Sequence, residues 1–445
     1  MIIRSPRIPD DVFAALARGA GGAGAARVLG AVEDGKRLLL LRGVVERAEA
    51  VRHPAAGQAA GAYDRLAAMQ RESPAAVDRV LRHPAVRAWA RRTVIDLAKD
   101  ARLARPGHLA ALAAAAAVHA GARHSIEVTA YGPTLMLPSL GEVELGAEGL
   151  GNTTVVVSSG PRGAVVTSDR GQVVVPGDPY RDAERWRGLR TLAVRAGEAA
   201  LTLVVDDVDP YRMTDMSSVA DRLSAREFHT WWTYLDAAWR ILTRCHWTTA
   251  TEIRAVLNVL TPLKPPPRGQ TSATDPHLFG AAALSRPSDG LAFALTLAHE
   301  VQHAKLVALL AAVPLTEPDD GRRYYAPWRD DPRPLGGLLH GAYAHAGVSG
   351  FWRRQRWREQ GAAAERAHAE FARWRAAALA TVRMMEATGG LTPSGVRFVR
   401  TLGGTLHAWN REWVPERAAL LARRAAERHL ADWQARNGAP EQLLR

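Results

Sequence analysis

The sequence has a single cysteine, Cys245, among its 445 residues. One thiol cannot form an internal disulfide, and it excludes the zinc sites that are built from several cysteines. Any metal bound by this chain must therefore be held mainly by histidines, carboxylates, water or a cosubstrate. Cys245 itself is expected to be a small buried residue.

Long apolar runs are also absent. The longest one, at residues 109–118, has ten residues, whereas a membrane-spanning helix needs about 20. Residues 1–10 lack the apolar core of a secretory signal. We therefore expect a cytoplasmic protein that makes no contact with a membrane.

Lysine is scarce. It occurs only at positions 36, 99, 264 and 305, so nearly all of the positive residues behind the formal charge of +13 are arginines. Such an excess is typical of a GC-rich coding sequence, and much of it need not carry function. A basic surface can still attract an acidic polypeptide. No nucleic-acid-binding motif accompanies the charge, and nucleic acid is not expected as a partner.

The chain divides into three regions. Residues 1–120 have apolar positions at helical spacing, and residues 121–210 consist of short β-branched segments separated by Gly, Pro or Asp. In residues 211–445, two short apolar segments precede a long apolar helix and further C-terminal helices. We predict an α+β fold with an N-terminal helical region, a β-rich middle region and a metal-binding catalytic region. The fold would be mostly helical, with a zincin-like HExxH helix packed on a small sheet.

The most informative motif is HEVQH, which starts at His299 and lies inside an apolar run, residues 291–310. Residues four apart share one face of a helix, so His299 and His303 can direct their imidazoles at one divalent metal ion. Glu300 lies beside them and could contact a bound water or a substrate. The pattern predicts a metal site, and the alternative is a pair of histidines on a helix surface.

A third protein ligand is expected downstream. The metzincin pattern is excluded because Leu306 and Leu309 occupy the positions where it needs Gly and His. Between His303 and position 359 the only glutamate is Glu317, in an Asp- and Pro-containing loop. The apolar segment 334–350 contains two histidines and no acid, and one of these is the candidate ligand.

These two histidines, His340 and His345, are five residues apart and thus about 140° apart around a helix, so they are not expected to face one metal together. A site of three neutral imidazoles would leave the 2+ charge of the metal uncompensated and would favour an anionic chelating ligand. Arginines and tyrosines at residues 322–333 could clamp a carboxylate. The alternative for that segment is a surface loop of Arg–Asp pairs.

At these motifs the chain resembles a bacterial family found with ribosomally made peptide natural products, the α-ketoglutarate-dependent HExxH-type peptide β-hydroxylases. The matching segments are GAAALS at 280–285, HEVQHAKL at 299–306, RYYAPWRDDPRP at 323–334 and LLHGAYAHAGV at 338–348. The resemblance is strong over residues 250–355, diffuse over 120–250 and weak before residue 100.

The resemblance implies an Fe(II) centre held by His299, His303 and His345. It further implies α-ketoglutarate as a chelating cosubstrate, with O2 as the oxidant and a β-carbon of a peptide side chain as the target. The candidate partners of the distal carboxylate of the cosubstrate are Arg329, Arg333 and Tyr325. The usual non-haem iron triad contains one carboxylate, so this chain departs from it unless Glu300 turns inward.

Two other functions stay open. In a zincin-type peptidase, zinc would replace iron and Glu300 would be the general base that activates the metal-bound water. The third possibility is a non-catalytic module that binds peptides. For the hydroxylase, the expected partner is a precursor peptide, and an acidic leader segment of that peptide could contact the basic chain. The sequence does not indicate the oligomeric state.

Overall fold

The chain folds as an α+β protein, as the sequence predicts, in which helices outnumber strands. This computed structural model describes residues 7–146, 151–267 and 269–438. Residues 1–6 of the N-terminal segment discussed above lie outside the described residues. Within the described part, no helix combines the length and the apolar character needed to cross a membrane.

Helices make up both ends of the described chain. The N-terminal helices are α1 (Asp10–Ala17), α2 (Gly22–Ala50), α3 (Ala56–Glu72), α4 (Pro74–Leu81), α5 (Pro84–Lys99) and α6 (Leu109–Ala120). The later helices are α7 (Ala225–Cys245), α8 (Trp247–Val256), α9 (Gly290–Leu310), α10 (Leu335–Gln355), α11 (Gly361–Ala387), α12 (Pro393–Asn410) and α13 (Glu416–Asn437).

Strands occupy the middle of the chain. They are β1 (His124–Tyr131), β2 (Thr134–Leu137), β3 (Gly141–Glu144), β4 (Asn152–Gly160), β5 (Gly163–Ser168), β6 (Gly171–Val175), β7 (Trp186–Gly188), β8 (Thr191–Ala196), β9 (Ala199–Val205), β10 (Val259–Pro262), β11 (Ser272–Ala273) and β12 (Ala281–Leu284). Two antiparallel sheets have the orders β1-β4-β5-β6 and β2-β3-β7. Their apolar faces share one core with α3 to α6.

The third sheet is mixed, with the order β11-β12-β10-β9-β8. Its centre is parallel, with β10 between β9 and β12, and its two outer pairs are antiparallel. Strands β8 and β9 belong to the predicted β-rich region, whereas β10 to β12 belong to the predicted catalytic region. The two regions therefore share one sheet across the predicted boundary at residue 210.

Helix α9 carries the HExxH motif and is buried against its neighbours along most of its length. Its first turn is capped by the Asp289 carboxylate, which accepts a hydrogen bond from the backbone N–H of Ala292 at 2.8 Å. Gly290 allows a close approach to α7, because a Cβ there would lie 2.5 Å from the Cβ of Ala237. The helix also contacts β11, β12 and α10, which places the motif beside the edge of the mixed sheet.

Candidate metal centre and its cavity

His299 and His303 face each other on α9. Their Nε2 atoms are 3.0 Å apart, and their ring centroids are 4.7 Å apart. Two nitrogens on one metal with bonds of about 2.0–2.1 Å would be separated by roughly 2.9–3.4 Å. This spacing fits two adjacent ligands of one ion. Burial lowers the pKa of both histidines, and the pKa of His303 is well below its ordinary value. Both rings are therefore neutral near pH 7, which is the form that binds a metal.

His345 reaches the same place from α10. Its Nδ1–H donates a hydrogen bond to the Gly341 carbonyl oxygen at 2.9 Å, so Nε2 is the nitrogen with a free lone pair. The ring centroid lies 5.3 Å from that of His299. Burial lowers the pKa of His345 to about 3. The orientation and protonation of this imidazole suit a metal ligand.

Two tryptophans hold the His345 ring. Trp328 stacks on it at 4.5 Å between centroids, and Trp374 of α11 lies 4.6 Å away. The Trp328 contact depends on Gly341, because a Cβ at that position would lie 2.2–2.4 Å from atoms of the Trp328 indole. Glycine in the first half of α10 therefore lets the indole reach the histidine.

His340 also comes to the cavity. Its ring stacks on His303 at 5.9 Å between centroids, and burial lowers its pKa to about 4. From their spacing in the sequence, only one of His340 and His345 is expected to face the metal. The structure brings both to the cavity wall, with His345 beside His299 and His340 beside His303.

Among the described residues, one ligand atom from each of His83, Asp206 and Asp209 lies within 4.8 Å of the other two. The ligand atoms of His299, His303 and His345 do not all come this close together. The side chain of His345 would therefore have to move to share one ion with His299 and His303.

Glu300 is buried, with 1% of its surface exposed. Its Oε2 accepts a short hydrogen bond from the Thr274 hydroxyl. Its Oε1 has no hydrogen-bond partner among the described residues and lies 3.9 Å from His299 Nε2. The carboxylate is therefore near the predicted metal position but is held by a residue of the loop after β11.

The histidines line a cavity of about 630 Å³. In the part of the chain that the structure describes, its walls contain four histidines, two arginines and two tryptophans, but no Asp or Glu. The lining residues are Gln270, Thr271, Ser272, Ala273, Thr274, Pro276, His299, His303, Val307, Trp328, Arg329, Arg333, Gly337, His340, Gly341, His345 and Trp374. The cavity is therefore basic, and the edge strand β11 forms part of its wall.

Arg329 and Arg333 lie at the cavity and share Asp331. Arg329 Nε donates to Asp331 Oδ1 at 2.8 Å, and Arg333 donates to Asp331 Oδ2 at 2.9 Å. A guanidinium has five N–H donors, so each arginine retains others for an incoming carboxylate. Both side chains are at least a third exposed, and we assign little stability to these pairs.

Tyr325 is not among the residues that line the cavity. Its hydroxyl lies 2.9 Å from His429 Nδ1, and its ring packs edge-on against Trp433, both on α13. The side chain thus joins the arginine-rich loop to the C-terminal helix. This placement differs from the predicted role of Tyr325 as a cosubstrate contact, because its hydroxyl is hydrogen-bonded to His429 of α13.

Sequence reasoning missed two contributors to the site. Thr274 gave no signal, because a threonine in a loop carries no motif. Trp374 belongs to a helix rich in charged residues, and its position beside His345 follows only from the packing of α11 on α10. The aromatic content of residues 324–328 was the available signal for Trp328.

Comparison with known proteins adds no assignment: no protein-family model matches the chain, and no curated protein sequence matches it.

Proposed function

We propose that this protein is an Fe(II)- and α-ketoglutarate-dependent hydroxylase that acts on β-carbons of side chains in a ribosomally made precursor peptide. The observation that carries the proposal is the composition of the cavity wall, whose described residues include four histidines and two arginines but no Asp or Glu. The resemblance of residues 250–355 to peptide β-hydroxylases agrees with it.

Charge balance supports an anionic cosubstrate. The proposed ligands His299, His303 and His345 are neutral, so a bound divalent ion would keep its full charge. α-Ketoglutarate carries two carboxylates, one of which would complete the metal site while the other needs a cation. Arg329 and Arg333 are the cations at the cavity, and an arginine can bind a carboxylate through two parallel hydrogen bonds.

Iron, when bound with α-ketoglutarate and O2, supplies the oxidising chemistry; the cosubstrate becomes succinate and CO2, and one oxygen atom enters a C–H bond of the peptide. The protein provides orientation. Gly341 holds the tautomer of His345, and Trp328 and Trp374 fix the plane of its ring.

The edge of the mixed sheet supports a peptide substrate. Strand β11 pairs with β12 on one side only, and residues 270–274 line the cavity. An extended peptide can bind such an edge by adding a strand through main-chain hydrogen bonds. A peptide bound in this way would place its side chains near the histidines of the cavity. Since a ribosomal peptide is made in the cytoplasm, we place the reaction there.

A zinc peptidase is the second candidate, and Glu300 is the observation that favours it. Its Oε1 lacks a hydrogen-bond partner among the described residues and lies 3.9 Å from His299 Nε2, where a general base would stand. Against this, Glu300 does not line the cavity, and its other oxygen is bonded to Thr274. These facts favour a positioning role for Glu300.

The decisive experiment incubates the full chain with Fe(II), α-ketoglutarate, air and a candidate precursor peptide. We expect a gain of about 16 Da per hydroxyl group and one succinate per oxygen atom inserted. The His299→Ala/His303→Ala variant is the matched control and should give neither product. Peptide cleavage without O2 and α-ketoglutarate would establish the peptidase instead, and peptide binding without any turnover would leave only the binding module.

Glu300→Gln distinguishes the hydroxylase from the peptidase, because it replaces only one carboxylate oxygen by an NH2 group. The amide oxygen can still accept the hydrogen bond from Thr274, so we expect a hydroxylase to retain turnover within about tenfold. A peptidase would lose its general base and at least about 100-fold in kcat. Mass spectrometry of the peptide after incubation with the wild-type protein or with Glu300→Gln measures the difference in turnover. A 100-fold loss of hydroxylation would contradict the positioning role.

A further inference from the structure

A second cluster of metal-ligand side chains lies outside the HExxH cavity. It consists of His83, in the turn between α4 and α5, and Asp206 and Asp209, which directly follow β9. One ligand atom from each lies within 4.8 Å of the other two, and all three residues are at least 97% buried. The cluster is therefore an interior group of one imidazole and two carboxylates.

The hydrogen bonds of the cluster are incomplete. Neither ring nitrogen of His83 has a hydrogen-bond partner among the described residues, and the same is true of Asp206 Oδ2. Two of these unpartnered atoms, His83 Nε2 and Asp206 Oδ2, are 3.8 Å apart, which is too far for a hydrogen bond. A buried polar group without a partner is unfavourable by about 1–3 kcal/mol, and more for a charged one.

Two of the other carboxylate oxygens of the cluster accept hydrogen bonds from the backbone. Asp206 Oδ1 accepts from the N–H groups of Val208 and Asp209, and Asp209 Oδ1 accepts from the N–H of Tyr211 at 2.8 Å. These bonds fix the loop after β9 and direct the carboxylates. They supply no positive charge.

The neighbouring Asp207 shows how this fold neutralises a buried acid when it uses side chains. Asp207 forms ion pairs with Arg190 and Arg222, each at 2.7 Å, and accepts the N–H of Leu223 at 3.0 Å. Asp206 and Asp209 have no ion pair with Lys or Arg within 4.0 Å among the described residues. The charge of Arg212 acts on both aspartates, but its hydrogen bond goes to the carbonyl oxygen of Asp209 rather than to a carboxylate.

We propose that His83, Asp206 and Asp209 bind a second, structural divalent cation of the zinc type. The two carboxylates balance the 2+ charge of the ion, and an imidazole with two carboxylate oxygens is a donor set that suits a borderline metal. The ion would give one ring nitrogen of His83 and Asp206 Oδ2 a common partner. This proposal does not depend on the chemistry at His299 and His303.

The place of the cluster defines what the ion does. His83 directly precedes α5 of the N-terminal helical region, whereas the two aspartates follow β9, which pairs with β10 in the mixed sheet. A cation here joins the helical region to the sheet whose other edge borders the HExxH cavity. Metal binding at this point would therefore stabilise the arrangement of the two parts.

The test uses the full-length His299→Ala/His303→Ala variant, in which the HExxH pair is removed. The protein is stripped with a chelator and titrated with Zn²⁺ against a chromogenic zinc chelator. We expect about one tightly bound Zn²⁺ per chain and a higher thermal unfolding temperature with Zn²⁺ than without it. No Zn²⁺ retained in competition with the chelator would overturn the proposal.

Adding Asp206→Asn and Asp209→Asn assigns the ion to this cluster. The two asparagines keep the side-chain volume and an acceptor for the backbone N–H groups but remove both carboxylate charges. We therefore expect loss of the one tightly bound Zn²⁺ and of the zinc-dependent rise in unfolding temperature. The matched control is His119→Gln, which changes a histidine that is hydrogen-bonded to Ser139. This variant should keep the bound Zn²⁺ and the zinc-dependent rise in unfolding temperature. Retention of zinc in the aspartate variant would refute the site. If this variant does not fold, His83→Gln on the same background takes its place.

Discussion

The hydrogen bond from His345 Nδ1 to the Gly341 carbonyl oxygen determines which nitrogen of this imidazole is available. His340 lies on the same helix and at the same cavity but stacks on His303 instead. At the scale of single residues, the proposed site thus depends on side-chain direction more than on distance along the chain. The HExxH spacing predicted the first pair of histidines. The proposal of His345 rather than His340 as the third ligand rests on the positions of Gly341 and Trp328.

We expect His345→Ala to lower iron affinity by more than about 100-fold, because even partners that only orient a ligand change metal affinity by 10–100-fold. Hydroxylation should fall with metal content. His340→Ala is the matched control and should keep about one iron per chain. Metal analysis after gel filtration measures both. Full metal content and turnover in His345→Ala would show that His345 is not the third ligand.

Arg329→Ala and Arg333→Ala test the binding of α-ketoglutarate. A hydrogen bond to a charged group contributes about 1.5–3 kcal/mol, so loss of the contacting arginine should raise the KM for α-ketoglutarate about 10- to 150-fold. The kcat at saturating cosubstrate should change little. Arg322→Ala removes an exposed arginine of the same loop that pairs with Asp320, and its KM should stay at the wild-type value. Unchanged KM values in both cavity variants would exclude these residues as the carboxylate partners.

At the scale of elements, α9 and α10 form the site through close contact with their neighbours. The apolar run at 291–310 predicted α9, and the structure has it at Gly290–Leu310. The segment around His345 also forms a helix, α10, whose glycines allow two close contacts. A Cβ at Gly341 would overlap Trp328, and one at Gly347 would lie 2.5 Å from the Gln302 side chain of α9. Sequence periodicity indicates a helix but not which of its glycines meets a partner.

Gly341→Ala should disturb the site through packing alone. The added methyl would displace the Trp328 indole from His345, and overpacking of this kind costs about 1–3 kcal/mol. We expect a lower thermal unfolding temperature and weaker iron binding. Gly336→Ala on the same helix meets nothing within 4 Å and should leave stability unchanged or raise it by up to about 1 kcal/mol. Equal behaviour of the two variants in calorimetry and metal analysis would rule out the packing argument.

At the scale of the whole molecule, the N-terminal helices are part of the core around α9. Phe13, Leu16 and Leu29 belong to the same apolar cluster as residues of α9, α10 and α12. Buried polar contacts join the same parts. Lys305 Nζ of α9 lies 2.9 Å from Glu252 Oε2 of α8. Glu252 Oε1 also accepts a hydrogen bond from the backbone N–H of Gly22 at 2.9 Å. The predicted helical region 1–120 thus packs directly on the helix that carries the HExxH motif.

The buried pair of Lys305 and Glu252 gives a prediction at this scale. Glu252→Gln would leave the lysine charge without a counterion in a site where both side chains are at most 2% exposed. Breaking a buried ion pair from one side destabilises a protein by about 3–5 kcal/mol. Urea unfolding should show this loss, whereas Glu317→Gln at an exposed position should change stability by less than about 0.5 kcal/mol. A small effect in Glu252→Gln would mean that the pair does not hold α8 on α9.

The sequence by itself determined the α+β class, the helix that carries His299 and His303, and the segments that supply His345 and the two arginines. These features follow from local periodicity and from residues at fixed spacing, which the chain carries in its order. Only the tertiary structure decided that His340 and His345 both reach the cavity, that Tyr325 turns to α13, and that β9 and β10 join two predicted regions in one sheet. It also brought His83 to Asp206 and Asp209. Such contacts depend on the packing of elements that are far apart in the chain, and no local pattern encodes them.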